Sequence, residues 1–398
     1  LHWSKEAEEA RPFGESFEFG AELVGIVASY RPEQDAAAVG ERLFDPVGRE
    51  WKLEAGHVGQ VSGHHRDGSG GYVRQMRIWR SHELGNPLDV LKLEEVEAPE
   101  PGPGQVQITT EAVGITFPDV LSCRGKYQIP TRLPFTPGGE TAGVVTARGE
   151  GVDNIELGAS VAVLGGGLRE VNVAAASSVF PYPTESLSAA QAAAVPVNYG
   201  TAWFALHDRA HVQSGETVLI TGAAGGTGTA CIQLAHAAGA VPIAVVGGEE
   251  KAALVRSLGV EHVVDHRETP DWVDSVREMS GGGVDVCFDA VGGDAYQKAR
   301  RCMAWDGRLL IIGFVGGIAD APTNHILLKN YSVVGVHWGA SLMRDPSAVG
   351  RQMAEVFALA GTGAVAPPLY PPFAFEDAAQ ALQDLADRKV YGKAVVTL

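Results

Sequence analysis

Cysteine is scarce in this chain. The 398 residues hold four, Cys123, Cys231, Cys287 and Cys302, widely spaced and with no CxxC pair, which speaks against a disulfide framework or a four-thiolate zinc site. A reducing cytoplasm is the expected compartment. Positive charge is short as well: 31 Lys and Arg stand against 48 Asp and Glu, a formal charge of −17, and net negative potential repels phosphate-rich surfaces. Neither nucleic acid nor a membrane surface is an expected partner. No apolar run reaches the roughly 18 residues that span a bilayer, and the acidic start, with its longest apolar stretch at 23–28, lacks the pattern of a secretory signal.

Glycine, by contrast, is abundant. Fifty glycines are about twice the usual share of roughly 7%, and without a collagen-like period they point to tight turns and to backbone that approaches a ligand closely. With 45% hydrophobic and 20% charged residues, the chain has the length and composition for two packed domains. Extensive disorder is excluded.

Residues 1–75 read as an appendage, rich in Glu, Gly and Arg, without a sustained period of 2 or 3.6, and ending in a linker-like run, 62–71, that includes His64 and His65. Met76 opens the first clear strand pattern. Two origins stay open for the appendage: a genuine extension, or upstream sequence joined to a protein that starts at Met76. From 76 to 196 short apolar strands at 106–110, 143–146, 160–164 and 171–174, separated by Gly and Pro turns, indicate a β-rich domain. From 197 to 340 strands at 217–221, 241–246, 262–264, 284–289, 308–312 and 332–337 alternate with helical stretches, the mark of an α/β doubly wound parallel sheet. A helix at 348–360, a proline-rich stretch at 367–372, a helix at 376–388 and a strand at 394–398 follow. This tail, 341–398, is expected to complete the β-rich domain.

The motif with the most chemistry lies at 222–228. There the strand 217–221 runs into Gly222-Ala223-Ala224-Gly225-Gly226-Thr227-Gly228 and then into an apolar helix, 229–238. Ala223, Gly225 and Gly228 hold the GxGxxG spacing with alanine in place of the first glycine, and Gly226 and Thr227 complete a loop whose N–H groups can face a pyrophosphate at a helix N-terminus. A second strand about 20 residues on supplies the context that dinucleotide binding needs. That strand ends in Gly247-Gly248 instead of the Asp or Glu that holds an NAD ribose, with Lys251 within one turn and Arg256 beyond. Glu249 and Glu250 read as partners of the helix dipole. NADPH is the expected cofactor.

These residues resemble the zinc-independent medium-chain dehydrogenase/reductases, in particular the NADPH:quinone oxidoreductases related to zeta-crystallin. The resemblance runs from Met76 to Leu398 and is carried by Pro101-Gly102-Pro103-Gly104-Gln105-Val106, Gly114-Ile115-Thr116-Phe117-Pro118-Asp119, Arg124-Gly125-Lys126-Tyr127, the stretch from Pro134 to Gly143, Pro196-Val197-Asn198-Tyr199-Gly200-Thr201-Ala202, the glycine-rich loop, and Asn324 to Asn330 with Val336-His337-Trp338-Gly339. It implies a GroES-like catalytic domain, a Rossmann domain and a homodimer, with the sixth Rossmann strand as the candidate interface. Where zinc-dependent relatives carry metal ligands this chain has Thr116 and Gly139, with the third position near Val197; only Glu140 nearby could bind a metal, and no metal is expected. Without a Lewis acid the fitting reaction is hydride transfer to a small-molecule quinone or related α,β-unsaturated carbonyl. The alternatives are a 2-enoyl thioester or alkenal reductase and a non-catalytic NADPH-binding structural protein.

By the same resemblance Tyr127 is the candidate proton donor, or else a residue of the cleft wall, and Thr116 stands where quinone reductases often carry asparagine. Asn198 and Thr201 would meet the carboxamide or merely cap a helix. His266 would lie near the adenosine 2′-phosphate or on the surface. Phe314 and Val315 follow the fifth Rossmann strand at its ligand-binding edge, with core packing as the other reading of Phe314; His337 is grouped with the cofactor residues. Lys393 would face a phosphate or stand exposed before an edge strand. The four cysteines are expected to be buried packing residues.

Overall fold

The computed structural model describes residues 43–44, 50–51 and 74–398. Two short strands, β1 (Leu43–Phe44) and β2 (Glu50–Trp51), pair antiparallel; the rest of the expected appendage lies outside the described residues. Further along, β3 (Gln75–Ser81) and β4 (Leu91–Glu97) form an antiparallel hairpin around the single turn α1 (Pro87–Val90). The sequence pattern had shown only the first of these two strands.

Five strands of a seven-stranded sheet follow: β5 (Gln105–Gly114), β6 (Glu140–Arg148), β7 (Ser160–Leu164) and β9 (Val179–Pro181) in a row, with β8 (Val171–Ala175) paired to β5 and α2 (Phe117–Cys123) between β5 and β6. β5 is longer than the expected 106–110 because neighbours pair with it on both sides along its length, and Val106, Ile108, Ala112 and Val113 are wholly inaccessible. Val106, Ile108, Val145, Val161 and Val163 close a core beneath these strands. The turn α3 (Ala189–Ala192), opened by the Ser188 capping box, leads into α4 (Pro196–Trp203), whose proline takes the first helical position.

The second layer is a six-stranded sheet. Its strands are β10 (Thr217–Thr221), β11 (Val241–Val246), β12 (His262–Asp265), β13 (Val284–Asp289), β14 (Met303–Ile311) and β15 (Ser332–Gly335), all parallel, in the order β12-β11-β10-β13-β14-β15. The connecting helices are α5 (Gly226–Ala237), α6 (Glu249–Ser257), α7 (Val273–Met279), α8 (Gly293–Cys302) and α9 (Thr323–Lys329). Val218, Leu219 and Ile220 of β10 and Val286, Cys287 and Phe288 of β13 are inaccessible on both faces, the continuous apolar reading of a covered parallel sheet. Strand order reverses between β10 and β13, so a ligand crevice is expected at their carboxyl ends.

After β15 come α10 (Trp338–Arg344) and α11 (Ala348–Gly361). The Trp338 indole lies so close to Gly200 that no side chain fits there, which locks α10 onto α4. The tail adds β16 (Phe373–Ala374), α12 (Ala378–Ala386) and β17 (Val395–Thr397), and β17 pairs antiparallel with β5. The tail strand therefore returns to the first sheet. All four cysteines are buried, and burial pushes the Cys123 and Cys302 thiols up to about 12. No helix among the described residues is long and apolar enough to cross a membrane.

Candidate active site

The crevice begins at the loop between β10 and α5. Gly222 adopts φ +64°, so the left-handed residue at the strand exit is one position before Ala223, which the motif spacing had singled out. Ala223 is fully buried and donates its N–H to the Val245 carbonyl at 3.3 Å. A Cβ on Gly228 would stand 2.5 Å from the Gly222 oxygen and 2.7 Å from the Ala223 Cα, so the helix start rests directly on the loop. Gly225 is the N-cap, and α5 starts at Gly226 instead of the expected 229. First-turn N–H groups without intrahelical partners thus open toward the crevice, the arrangement that receives an anion. Asn198 touches the loop from the side: its Nδ2 lies 2.6 Å from where a Gly226 Cβ would be. It is the third helical residue of α4, whose N-cap is Val195, so it is no helix cap; Thr201 is half-buried on the same helix.

At the end of β11 the chain turns through Gly247 and Gly248, the latter at φ +100°. Asp265 organises the neighbourhood. Its carboxylate accepts from the Gly248 N–H at 3.0 Å and from the Arg267 N–H at 2.9 Å, and these bonds hold its carboxyl below the usual carboxylate range. His266 and Arg267 are thereby laid over the glycines: a Cβ on Gly247 would meet the His266 Nε2 at 2.6 Å, and one on Gly248 the Arg267 Nη1 at 2.9 Å. Lys251 Nζ donates to the Arg388 carbonyl at 3.3 Å. Burial first, then the charges of Arg267 and Arg388, lower its proton affinity, while the Arg388 guanidinium donates to the Val315 carbonyl at 2.8 Å. Glu249 pairs with Arg256 at 2.8 Å, which turns Arg256 away from the cluster. The Glu250 carboxylate near the Tyr391 hydroxyl raises the phenol's pKa.

Two residues beyond β5, Thr116 caps α2. The Asp119 Oδ2 accepts from both the N–H and the hydroxyl of Thr116 at 2.7 Å, and its Oδ1 accepts from the Gly138 N–H at 2.9 Å. The Thr116 hydroxyl proton is held by this bond, which leaves its oxygen able only to accept. Tyr127 follows α2 and is half-buried; burial first, then the Asp119 charge, pushes its phenol pKa up. Nearby, Glu140 is wholly inaccessible, with Oε1 ion-paired to Lys393 Nζ and Oε2 accepting from the Val197 N–H at 2.7 Å.

This frame can be set beside known proteins. A family model described as "Alcohol dehydrogenase GroES-like domain" matches residues 102–184, and one described as "Zinc-binding dehydrogenase" matches 226–356. Quinone oxidoreductase-like protein 2 of Mus musculus is 36% identical over 334 residues, covering 82% of this chain and 94% of that protein. The chain belongs to the medium-chain dehydrogenase/reductase family, in its quinone oxidoreductase-like branch. Among solved structures, a probable oxidoreductase from Mycobacterium abscessus is 38% identical, with a TM-score of 0.74 over 82% of this chain and 99% of that one. A mycobacterial protein complexed with NADPH is 28% identical, also with a TM-score of 0.74, over 81% of this chain and 100% of that one.

The zinc named in one family description does not fit these residues. Thr116 and Gly139 offer no ligand of the usual kind, and both oxygens of Glu140 are already engaged. No group of three or more His, Cys, Asp or Glu placed for a metal exists among the described residues.

Several expectations for individual residues change. Lys393 is neither exposed nor turned to a phosphate; at 3% exposure it is buried against Glu140, because a lysine in this position needs a counter-charge. Phe314 is not a core residue: it is 42% exposed and Val315 is 41% exposed, both beyond β14 at the carboxyl edge of the sheet. His337 stands exposed before α10, and no described hydrogen bond joins it to the glycine loop. Arg267, Arg388 and Asp265 were missed. Arg267 adjoins His266 and was within reach of the sequence argument, whereas Arg388 arrives from 137 residues beyond Lys251 and has no local signal.

Proposed function

We propose that this protein is a zinc-independent, NADPH-dependent reductase of quinones or related α,β-unsaturated carbonyl compounds. The observation that carries the reading is the pairing of a glycine loop at a helix N-terminus with Lys251 and Arg267 beyond β11, close enough to Arg388 that both arginines lower the lysine's proton affinity. The cofactor's pyrophosphate would lie on Gly225, Gly226, Thr227 and Gly228, and its 2′-phosphate among Gly247, Gly248, Lys251, His266 and the two arginines. When bound, NADPH supplies a hydride from the nicotinamide ring. Asn198 presents its amide beside the loop, with Thr201 one turn further along the same helix, and Phe314 and Val315 form the exposed wall at the sheet edge. Tyr127, kept protonated by its surroundings, gives its proton to the acceptor oxygen as the hydride arrives, and takes a new one from solvent. The acceptor leaves with two electrons and two hydrogens.

The cofactor preference is tested by titrating NADPH and NADH against three variants. Lys251→Ala and Arg267→Ala are each expected to weaken NADPH about ten- to hundredfold, the range given by about 1.5–3 kcal/mol per charged hydrogen bond, and to leave NADH nearly unchanged. Gly247→Asp must push His266 aside and sets a carboxylate toward the cations, so it should reverse the preference. Equal weakening of both cofactors by Lys251→Ala would show that the lysine supports the fold alone.

A further inference from the structure

The buried ion pair lies in neither of the sites described for cofactor or acceptor, yet it is built with care. Glu140 opens β6, Val197 stands at the start of α4, and Lys393 lies in the returning tail just before β17; their polar groups meet at one carboxylate in the interior. Gly114 makes room for the meeting. A Cβ there would stand 2.7 Å from the Glu140 Cγ and 3.0 Å from the Lys393 Cε. The residue after Val197 is Asn198, whose amide touches Gly226 of the glycine loop. The residue before Lys393 is Gly392, which adopts φ +63° and donates its N–H to the Ala224 carbonyl of that loop at 2.7 Å. Gly392 also forms a bridge with Gly225. Two of the chain segments that touch the loop are thus tied, one residue away in each case, to the same carboxylate.

We propose that the Glu140–Lys393 pair is a positioning device that fixes the Asn198 segment and the Gly392 segment against the glycine loop, and so sets how a bound nicotinamide meets its acceptor. The proposal rests on the reductase reading above. Neither side chain touches cofactor or substrate; each acts through its neighbour. A misplacement of about 1 Å at a reacting centre costs on the order of a hundredfold in rate, so loosening the pin should appear in hydride transfer more than in binding.

The test uses the full chain and single-turnover oxidation of enzyme-bound NADPH by a saturating quinone. Three variants are compared: Lys393→Met, Glu140→Gln/Lys393→Met and Lys393→Arg. The double variant leaves no charge unpaired in the interior and keeps an acceptor for the Val197 N–H, so its melting temperature reports on folding separately. The expected result is NADPH affinity within about threefold of wild type and a hydride-transfer rate at least about tenfold lower for both Met variants, with Lys393→Arg recovering most of the rate. A double variant that transfers hydride at the wild-type rate would overturn the proposal and leave the pair a stabiliser of the fold. Wild-type protein that binds NADPH but never oxidises it would overturn the reductase reading instead.

Discussion

Replacing Gly228 with alanine should abolish useful NADPH binding. The added carbon would lie 2.5 Å from the Gly222 oxygen and 2.7 Å from both the Cα and the oxygen of Ala223. All three are backbone atoms of a loop locked between β10 and α5, so none can swing away. The helix start must instead lift off the loop, and the N–H groups that would face a pyrophosphate lose their aim. Two charge-assisted hydrogen bonds at about 1.5–3 kcal/mol each correspond to roughly a hundredfold to ten-thousandfold loss in affinity. Gly225 is the control. Its Cβ would meet only the Gly222 oxygen, at 3.4 Å, and alanine there should be far milder. Fluorescence titration of NADPH, on variants whose circular dichroism matches wild type, makes the measurement; unchanged affinity in Gly228→Ala would remove the loop from the cofactor site.

Tyr127→Phe should lower kcat by about 10²–10⁴, the usual contribution of a positioned general acid, and leave NADPH affinity alone. The structure gives the pH dependence a sign. Burial and the Asp119 charge both disfavour the phenolate, so the phenol's pKa lies above its ordinary value. The active form is the protonated one, hence kcat should hold level through neutral pH and fall only as the pH rises past that raised pKa. Steady-state rates across alkaline pH test this, and a Phe variant within about threefold of wild type would make Tyr127 a cleft-wall residue.

Much of this arrangement could be read in the chain because it is written locally. The strand, glycine loop and helix at 217–238 are contiguous, and the apolar runs of β10, β11 and β13 mark a sheet covered on both faces. The tail strand at 394–398 was also legible, and it does return to β5 as β17. What stayed hidden depends on residues far apart in sequence. Lys393 reads as a surface lysine until its partner, 253 residues earlier, is known. Arg388 stands beside Lys251 only because the tail crosses back over α6. Phe314 looks like a core aromatic in a string of apolar letters, yet the loop after β14 carries it out to solvent at the sheet edge. The hairpin strand β4 was missed for a related reason. Lys92, Leu93, Glu95 and Glu97 face solvent, so no apolar alternation marks it, and its pairing with β3 makes it a strand.

The most direct test of the central claim is a stoichiometric one. The full chain is mixed with a known amount of NADPH and an excess of a simple quinone under anaerobic conditions, and both the loss of reduced nicotinamide and the formation of hydroquinone are followed, with and without added zinc or chelator. The account predicts one hydroquinone formed for each NADPH consumed, at a rate that depends on quinone and is indifferent to zinc and to chelator. Stable NADPH in the presence of quinone, despite measurable binding, or a rate abolished by the chelator, would contradict it.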